Sequence, residues 1–159
     1  MKKIKLTQGE YALVDDEDYD KFSKIKWYVF RACPTLNYAM CSKKQQNGKF
    51  RNFNMSREVM MNVPKGMVVD HIDGNGLNNQ KKNLRIATTS QNGMNRKDNC
   101  NNTSGHRGVC YNKKNKKWQA QTMSMGKPVY LGMYDDILEA AKAYKEYAKK
   151  NYKQYRRIN

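Results

Sequence analysis

Apolar and polar residues alternate through much of the first half of the chain, which is the period-two pattern of strands that bury one face. Strands are predicted around Ile4 and over 11–14, 27–32, 37–42 and 50–55. The Asn47-Gly48 pair between the last two strands is typical of a tight hairpin turn. This half is therefore predicted to be β-rich.

Two short helices are predicted among these strands. The acidic residues at 15–20 suit the first turn of a helix, where the helix dipole favours negative charge. Ser56 is predicted to be the N-cap of the second helix, because a serine hydroxyl can accept a backbone N–H of the first turn. Both features are interpreted as structural.

A second pattern begins after residues 98–105, which are small, polar and without periodicity and are therefore predicted to be a linker. Three short strands are predicted beyond it, at about 107–111, 118–125 and 128–134. A helix is predicted to follow, with Asp136 and Glu139 as a capping pair. Its apolar stripe is predicted to cover the sheet and consists of Ile137, Ala141, Tyr144 and Ala148.

The charge of the chain points to a polyanionic partner. The sequence contains 31 Lys and Arg against 14 Asp and Glu, a net charge of +17. Residues 1–98 carry 18 basic and 10 acidic side chains, and residues 99–159 carry 13 and 4, so both halves are basic. Two folded modules on one nucleic acid explain this distribution best. No apolar run approaches the ~18 residues that a membrane span needs, so a cytoplasmic protein is expected.

The cysteines do not suggest a zinc site. Cys33, Cys41, Cys100 and Cys110 form no C-x-x-C pair, and the chain has only two histidines, His71 and His106. No structural zinc is expected, and the cysteines are interpreted as reduced thiols.

The densest chemistry lies between Val68 and Asn95, where an apolar strand ends in Asp70-His71. Asp70 is a hard oxygen ligand of the kind that magnesium prefers, and histidine suits a general base near neutral pH. Adjacent strand residues point to opposite faces, so both can serve one site only where the strand ends. Asn92, on the helix that follows, can supply a second oxygen ligand, and Asn83 can fix the imidazole tautomer.

The loop between these residues is interpreted as structural. Asp73, Gly74 and Asn75 are expected to shape the turn, and Asn78 and Asn79 are expected to brace the loop.

This segment resembles the HNH nucleases, in their Asn-rich homing-endonuclease branch. The resemblance rests on Val69-Asp70-His71-Ile72-Asp73-Gly74-Asn75, on Asn83-Leu84-Arg85 and on Ser90-Gln91-Asn92. It implies a nuclease domain over 1–97 with a ββα-metal (His-Me finger) core at about 66–97. It also implies His71 as general base, Asn83 as the residue that orients it, and Asp70 and Asn92 as ligands of one divalent metal, Mg²⁺ first and Mn²⁺ as the alternative.

Residues 106–159 resemble the APETALA/ethylene-response-factor DNA-binding domain. The motifs are Gly105-His106-Arg107-Gly108-Val109, Trp118-Gln119-Ala120-Gln121, Tyr130-Leu131-Gly132 and Glu139-Ala140-Ala141. The resemblance implies a three-stranded antiparallel sheet in the DNA major groove, packed on one C-terminal helix. The residues that it assigns to double-stranded DNA are Arg107, Lys113, Lys114, Lys116, Lys117, Gln119, Gln121, Lys127 and Tyr130.

Strand alternation assigns the two faces of the middle strand. Trp118, Ala120 and Thr122 lie on one face, and Gln119 and Gln121 lie on the other. The glutamine face is the one that the resemblance turns towards DNA, and glutamine can read adenine with two hydrogen bonds. Relatives tend to carry Arg where this strand has Gln119 and Met123, so weaker or A/T-leaning sequence specificity is expected.

The sequence as a whole predicts an α+β protein that cleaves DNA, of a phage or mobile-element type. The alternative is a nuclease-derived DNA-binding regulator that has lost cleavage, since HNH relatives often carry His where this chain has Ser56. A third possibility, an RNA-binding protein, lacks an aromatic-rich recognition signature in this sequence.

Overall fold

The computed structural model describes residues 1–33, 36–95, 102–124, 126–152 and 155. The chain divides into two compact units, Met1–Thr89 and Ser90–Asn159. Residues 98–101 of the predicted linker at 98–105 lie outside the described residues. Several small antiparallel sheets and four α-helices make up the described part of the chain, so the predicted α+β class is confirmed. None of the described helices is long and apolar enough to span a membrane.

The first unit contains three small sheets, β1–β2, β3–β4–β5 and β6–β7, in each of which neighbouring strands are antiparallel. Its elements, in chain order, are β1 Lys2–Lys5, β2 Tyr11–Val14, α1 Asp16–Ser23, β3 Tyr28–Cys33, β4 Leu36–Lys44, β5 Phe50–Asn54, α2 Met55–Met60, β6 Met67–His71 and β7 Leu84–Thr88. A 3-10 turn at Lys81–Asn83 leads into β7.

The core of this unit forms where the buried faces of its strands meet α1 and α2. Leu6, Phe22, Trp27 and Met55 are all less than 2% exposed. The indole of Trp27 is satisfied despite its burial, because Nε1 donates to the carbonyl oxygen of Phe22 at 2.9 Å. The apolar positions of the alternating pattern therefore pack into one hydrophobic core.

The predicted cap of α2 is wrong. Asn54, not Ser56, is the N-cap, and its side-chain oxygen accepts the backbone N–H of Ser56 at 3.1 Å. Ser56 is the second residue of the helix, and its hydroxyl donates to the same Asn54 oxygen at 2.9 Å. Asparagine and serine are comparable caps, so the sequence alone did not decide between them.

The second unit contains one three-stranded antiparallel sheet in the order β10–β9–β8. Its elements are β8 Val109–Asn112, β9 Lys117–Ser124, β10 Lys127–Tyr134 and α4 Ile137–Tyr152, preceded by α3, Thr89–Asn95, which begins in the first unit. The oxygen of Asp136 accepts the backbone N–H of Leu138 at 3.0 Å and so caps α4.

Small residues let α4 lie close to this sheet. Val109 and Ala120 of the sheet form one buried cluster with Ala140 and Ala141 of the helix, and Trp118 packs against it. Gly108 has a φ of 72°, and a Cβ at this position would overlap the ring of Tyr144. The Gln119 and Gln121 face of β9 thus lies on the side opposite Ala120, as the alternation predicts.

Candidate active site and DNA-binding face

Asp70 and His71 are the last two residues of β6. They pair with Arg85 and Leu84 of β7, and they are 4% and 5% exposed. A buried carboxylate next to a buried imidazole needs polar partners, because an unpaired polar group in the interior is costly. The neighbouring strand and the loop that follows β6 supply these partners.

Arg85 pairs with Asp70 across the hairpin. Its Nε donates to Asp70 Oδ2 at 2.8 Å, and its Nη2 lies 2.7 Å from the same oxygen. The side chains of Arg85 and Asp70 are only 15% and 4% exposed, so solvent screens this pair weakly. A cation coordinated by Asp70 would share the carboxylate with Arg85 or displace the guanidinium.

His71 is held by an amide and packs against an aromatic ring. Its Nε2 lies 3.2 Å from Oδ1 of Asn79, and its ring centroid lies 5.9 Å from that of Tyr38. Burial lowers the pKa of His71 below its ordinary value of 6.5, although the Asn79 bond and the charges of Asp73 and Asp70 oppose this shift. The imidazole is therefore neutral at physiological pH, which is the form that a general base requires.

Asn83 organises the loop that follows β6. Its Nδ2 donates to Asp73 Oδ1 at 2.9 Å and to the carbonyl of Asn78 at 2.8 Å, while its Oδ1 accepts the backbone N–H of Asp73 at 3.1 Å. Asp73 in turn accepts the backbone N–H of Asn75 at 2.8 Å. The role predicted for Asn83, orienting His71, stays a prediction, since these contacts are made to the loop.

Asn79 is the site residue that sequence reasoning missed, having been interpreted as a loop brace. It is fully buried, and its backbone N–H donates to the carbonyl of Leu13 in β2 at 2.8 Å. Leu13 also donates its own N–H to the carbonyl of Leu77 at 2.8 Å. Strand β2 therefore bonds to this loop at the residues before and after Asn78. Asn79 lies in a polar stretch of the sequence, and nothing in its local pattern predicts a contact with His71.

Asp15 adds a second link between the start of the chain and this loop. Its carboxylate accepts the backbone N–H of Lys81 at 2.8 Å and the Nε2 of Gln80 at 3.2 Å. Asp15 precedes α1, so one residue of the predicted acidic run positions the segment that contains Asn79.

The proposed second metal ligand, Asn92, lies on α3, in the part of that helix that belongs to the second unit. Its role as a ligand stays a prediction. Within the residues that the structure describes, no three His, Cys, Asp or Glu side chains gather where they would hold a metal ion. Asp70 is the carboxylate that adjoins His71.

The residues predicted to contact DNA fall into two groups in the second unit. Gln119, Gln121 and Tyr130 lie on one sheet face, with Tyr130 directly opposite Gln121 and 59% exposed. Gln119 Nε2 donates to Gln121 Oε1 at 2.9 Å, which aligns the two amides along the strand. Lys113, Lys114, Lys116 and Lys127 are exposed at the turns that flank β9.

Two basic residues of the predicted DNA-binding set also have protein partners. Arg107 donates to the carbonyls of Gly93 and Met94 at the end of α3, at 2.6 and 3.0 Å. Lys117 forms an exposed ion pair with Asp135 at 3.2 Å. Contact with DNA would require Arg107 to leave the helix end or to share it, so its predicted role stays the least supported of the set.

Comparison with protein families agrees with this arrangement. Residues 62–94 match the HNH endonuclease model, and residues 104–154 match the AP2 domain model. These two segments contain the β6–β7 hairpin and the β8–β10 sheet, respectively. The predicted resemblance to an HNH endonuclease with an AP2-like DNA-binding domain is confirmed.

Individual relatives come from viruses and a prophage. Protein 3.8 of Escherichia phage T7 is 42% identical over 65 residues, which cover 41% of this chain and 54% of that protein. An uncharacterized HNH endonuclease of Acanthamoeba polyphaga mimivirus is 33% identical over 105 residues, or 66% of this chain and 53% of the relative. The chain spans about half the length of these two relatives. No solved structure matches.

A shorter match is with a protein of Bacillus subtilis (strain 168). A prophage-derived protein of that organism, named as an HNH homing endonuclease, is 47% identical over 38 residues, which cover 24% of this chain and 22% of that protein.

Proposed function

We propose that this protein is a metal-dependent DNA endonuclease, in which the β6–β7 hairpin and α3 form a ββα-metal core and the β8–β10 sheet docks in the major groove. The observation that carries the proposal is the placement of His71. It is a buried, neutral imidazole beside the Asp70 carboxylate at the end of β6, in a segment that matches the HNH family.

His71 takes the proton of an attacking water in this mechanism. The water oxygen forms the new bond to phosphorus, the bond to the leaving oxygen breaks, and that oxygen takes a proton from solvent. A divalent cation, when bound, supplies positive charge against the scissile phosphate and the leaving oxygen. The expected products carry 5′-phosphate and 3′-hydroxyl ends.

The residues present suit magnesium. Asp70 offers a carboxylate oxygen, and the family resemblance assigns the amide oxygen of Asn92 as the second ligand. Mg²⁺ is commonly bound by one or two protein carboxylates together with substrate phosphates and waters, so a small set of hard oxygens fits it. Zinc would call for several His or Cys ligands.

The second unit positions the duplex for cleavage. A three-stranded sheet with two aligned glutamines and an exposed tyrosine can enter the major groove, and Gln119 and Gln121 can read adenine. The exposed lysines of the flanking turns neutralise phosphates, which gives affinity without sequence information. The whole chain is basic, with a net charge of +17, and this favours rapid association with DNA.

Conversion of supercoiled plasmid to nicked or linear DNA tests this function. We expect cleavage with Mg²⁺, none with EDTA, and a loss of at least 100-fold in His71→Ala. His106→Ala is the matched control, since it removes the other histidine of the chain and should cleave as the parent does.

Three other outcomes would contradict the proposed function or its active site. Tight duplex binding without cleavage under Mg²⁺ or Mn²⁺ would favour the DNA-binding regulator. Equal cleavage by the parent and His71→Ala would exclude this assignment of the active site. Preference for structured RNA over duplex DNA would contradict the proposed substrate.

A further inference from the structure

We propose that Asn79 is the positioning residue of the nuclease site: it accepts the Nε2 proton of His71, so that Nδ1 is the nitrogen that removes the proton from water. This inference rests on the proposed function for its catalytic meaning. The bond itself is a property of the folded chain without metal or DNA.

The orientation of the Asn79 amide determines the direction of this bond. Asn79 Nδ2 donates to the carbonyl of Leu77 at 3.3 Å, which turns Oδ1 towards His71 at 3.2 Å. If the amide were flipped, Asn79 Oδ1 would face the carbonyl oxygen of Leu77, and neither oxygen can donate a hydrogen bond. Since Oδ1 only accepts, the Nε2 atom that faces it carries the hydrogen. The neutral ring then has its lone pair on Nδ1.

The backbone of Asn79 is fixed independently of its side chain. Its N–H bonds to the carbonyl of Leu13, and Leu13 bonds in turn to the carbonyl of Leu77, each at 2.8 Å. Asn79 is 0% exposed, so no water competes for its amide from bulk solvent. A residue held by one backbone and two side-chain hydrogen bonds orients the imidazole without a further loss of conformational freedom when DNA binds.

Asn83 acts one step further away in this arrangement. Its amide bonds to Asp73 and to the carbonyl of Asn78, which shapes the loop that delivers Asn79. The orienting role that the family resemblance assigns to Asn83 is thus divided, with Asn83 holding the loop and Asn79 holding the ring.

Nitrogen-15 NMR of the full chain tests the inference directly. With only His71 and His106 to assign, His106→Ala identifies the signals of His71. In metal-free protein at pH 8, we expect the ring proton of His71 on Nε2, with its directly bonded proton visible because it exchanges slowly with water. A proton found mainly on Nδ1 in the parent would overturn the inference, whatever the variants do.

Two substitutions at Asn79 separate hydrogen bonding from packing. In Asn79→Leu, the Nε2 proton signal should be lost through exchange, kcat should fall by about 10- to 100-fold, and KM should stay unchanged. Asn79→Asp keeps an acceptor and should keep the proton signal. Should Asn79→Leu fail to fold, the spectra of the parent and Asn79→Asp still decide the point.

Gln8→Leu is the control, because it removes a side-chain amide of the same unit whose Oε1 accepts the backbone N–H of Val29, outside the loop that carries Asn79. It should leave the His71 signals and kcat as in the parent. An unchanged Nε2 proton signal in Asn79→Leu, or its equal loss in Gln8→Leu, would contradict the role of Asn79. If the spectra agree with the inference and the parent cleaves no DNA, the proposed function fails and the positioning of His71 stands.

Discussion

Arg85 and Asp70 face each other across the β6–β7 hairpin, and two nitrogens of the guanidinium lie within 2.8 Å of one carboxylate oxygen. A buried carboxylate must have a counter-charge, and Arg85 provides it in the protein without metal. The same carboxylate is the proposed metal ligand, so the pair links the stability of the hairpin to metal binding.

Arg85→Gln is expected to destabilise the first unit by roughly 3 kcal/mol in EDTA, because it removes the guanidinium charge that lies against the buried Asp70 carboxylate. Saturating Mg²⁺ should restore more stability in this variant than in the parent, since the cation replaces the lost charge. Thermal unfolding with and without Mg²⁺ measures both effects.

Arg31→Gln serves as the control for this experiment. Arg31 pairs with Glu10 at 3.0 Å, but its side chain is 59% exposed, so its removal should cost less than about 1 kcal/mol with no magnesium dependence. Equal responses of the two variants to Mg²⁺ would contradict metal binding at Asp70.

The lowered pKa of His71 predicts a loss of stability at acidic pH. Above pH 6.5 the ring is neutral in both the folded and the unfolded chain. Below it, the unfolded chain binds a proton that the folded chain resists, so the free energy of unfolding decreases as the pH falls from about 6.5 towards the lower folded pKa. Urea unfolding in EDTA at a series of pH values measures this.

His71→Gln removes that proton uptake while keeping a polar side chain. The stability of the parent relative to this variant should therefore decline as the pH falls below 6.5. Parallel stability curves for the two proteins across this range would mean that burial does not shift the His71 pKa.

Gly76→Ala is expected to disturb the loop that carries Asn78 and Asn79. A Cβ at Gly76 would overlap the carbonyl oxygen of Asn37 and approach the Tyr38 ring to 2.6 Å. Tyr38 also packs against His71, so the loop has to move away from β4 or displace that ring. We expect a loss of about 1–3 kcal/mol and slower DNA cleavage.

Gly93→Ala adds the same methyl group where nothing lies within 4 Å, in the helix α3. It should be neutral or slightly stabilising, because alanine has the higher helix propensity. Thermal unfolding of the two variants compares them, and a Gly76→Ala protein as stable as the parent would show that the loop has room to adjust.

Lysines and glutamines of the second unit should affect DNA binding differently. Lys113→Ala is expected to weaken binding to all sequences alike and to reduce the slope of log K against log salt by about 1, as the loss of one phosphate contact does. Gln121→Ala should leave that slope unchanged and relax the sequence preference at one base pair. Fluorescence anisotropy at several salt concentrations, on duplexes of different sequence, distinguishes the two.

Lys24→Ala is the charge-matched control, since Lys24 is an exposed lysine at the end of α1 with no predicted DNA contact. It should change the salt dependence less than Lys113→Ala does. Equal slopes for both lysine variants would mean that binding follows overall charge and not the proposed sheet face.

Local patterns in the sequence predicted most of the secondary structure and the residue types of the candidate site. Alternation along β9 placed Ala120 inside and Gln121 outside, because successive strand residues must point to opposite faces. The Asp70-His71 pair and its family motif indicated a nuclease before any contact was known, since the chemistry is carried by residue types at short spacing.

Tertiary structure decided which side chains meet at the site. Asn79 contacts His71 from a loop whose backbone bonds to Leu13, far away in the chain, and Asp15 bonds to Lys81 over 66 positions. Arg107 likewise bonds to the carbonyls of α3, which no local pattern indicates. Such bonds depend on how separate elements pack, and a period of two or 3.6 residues describes only one element at a time.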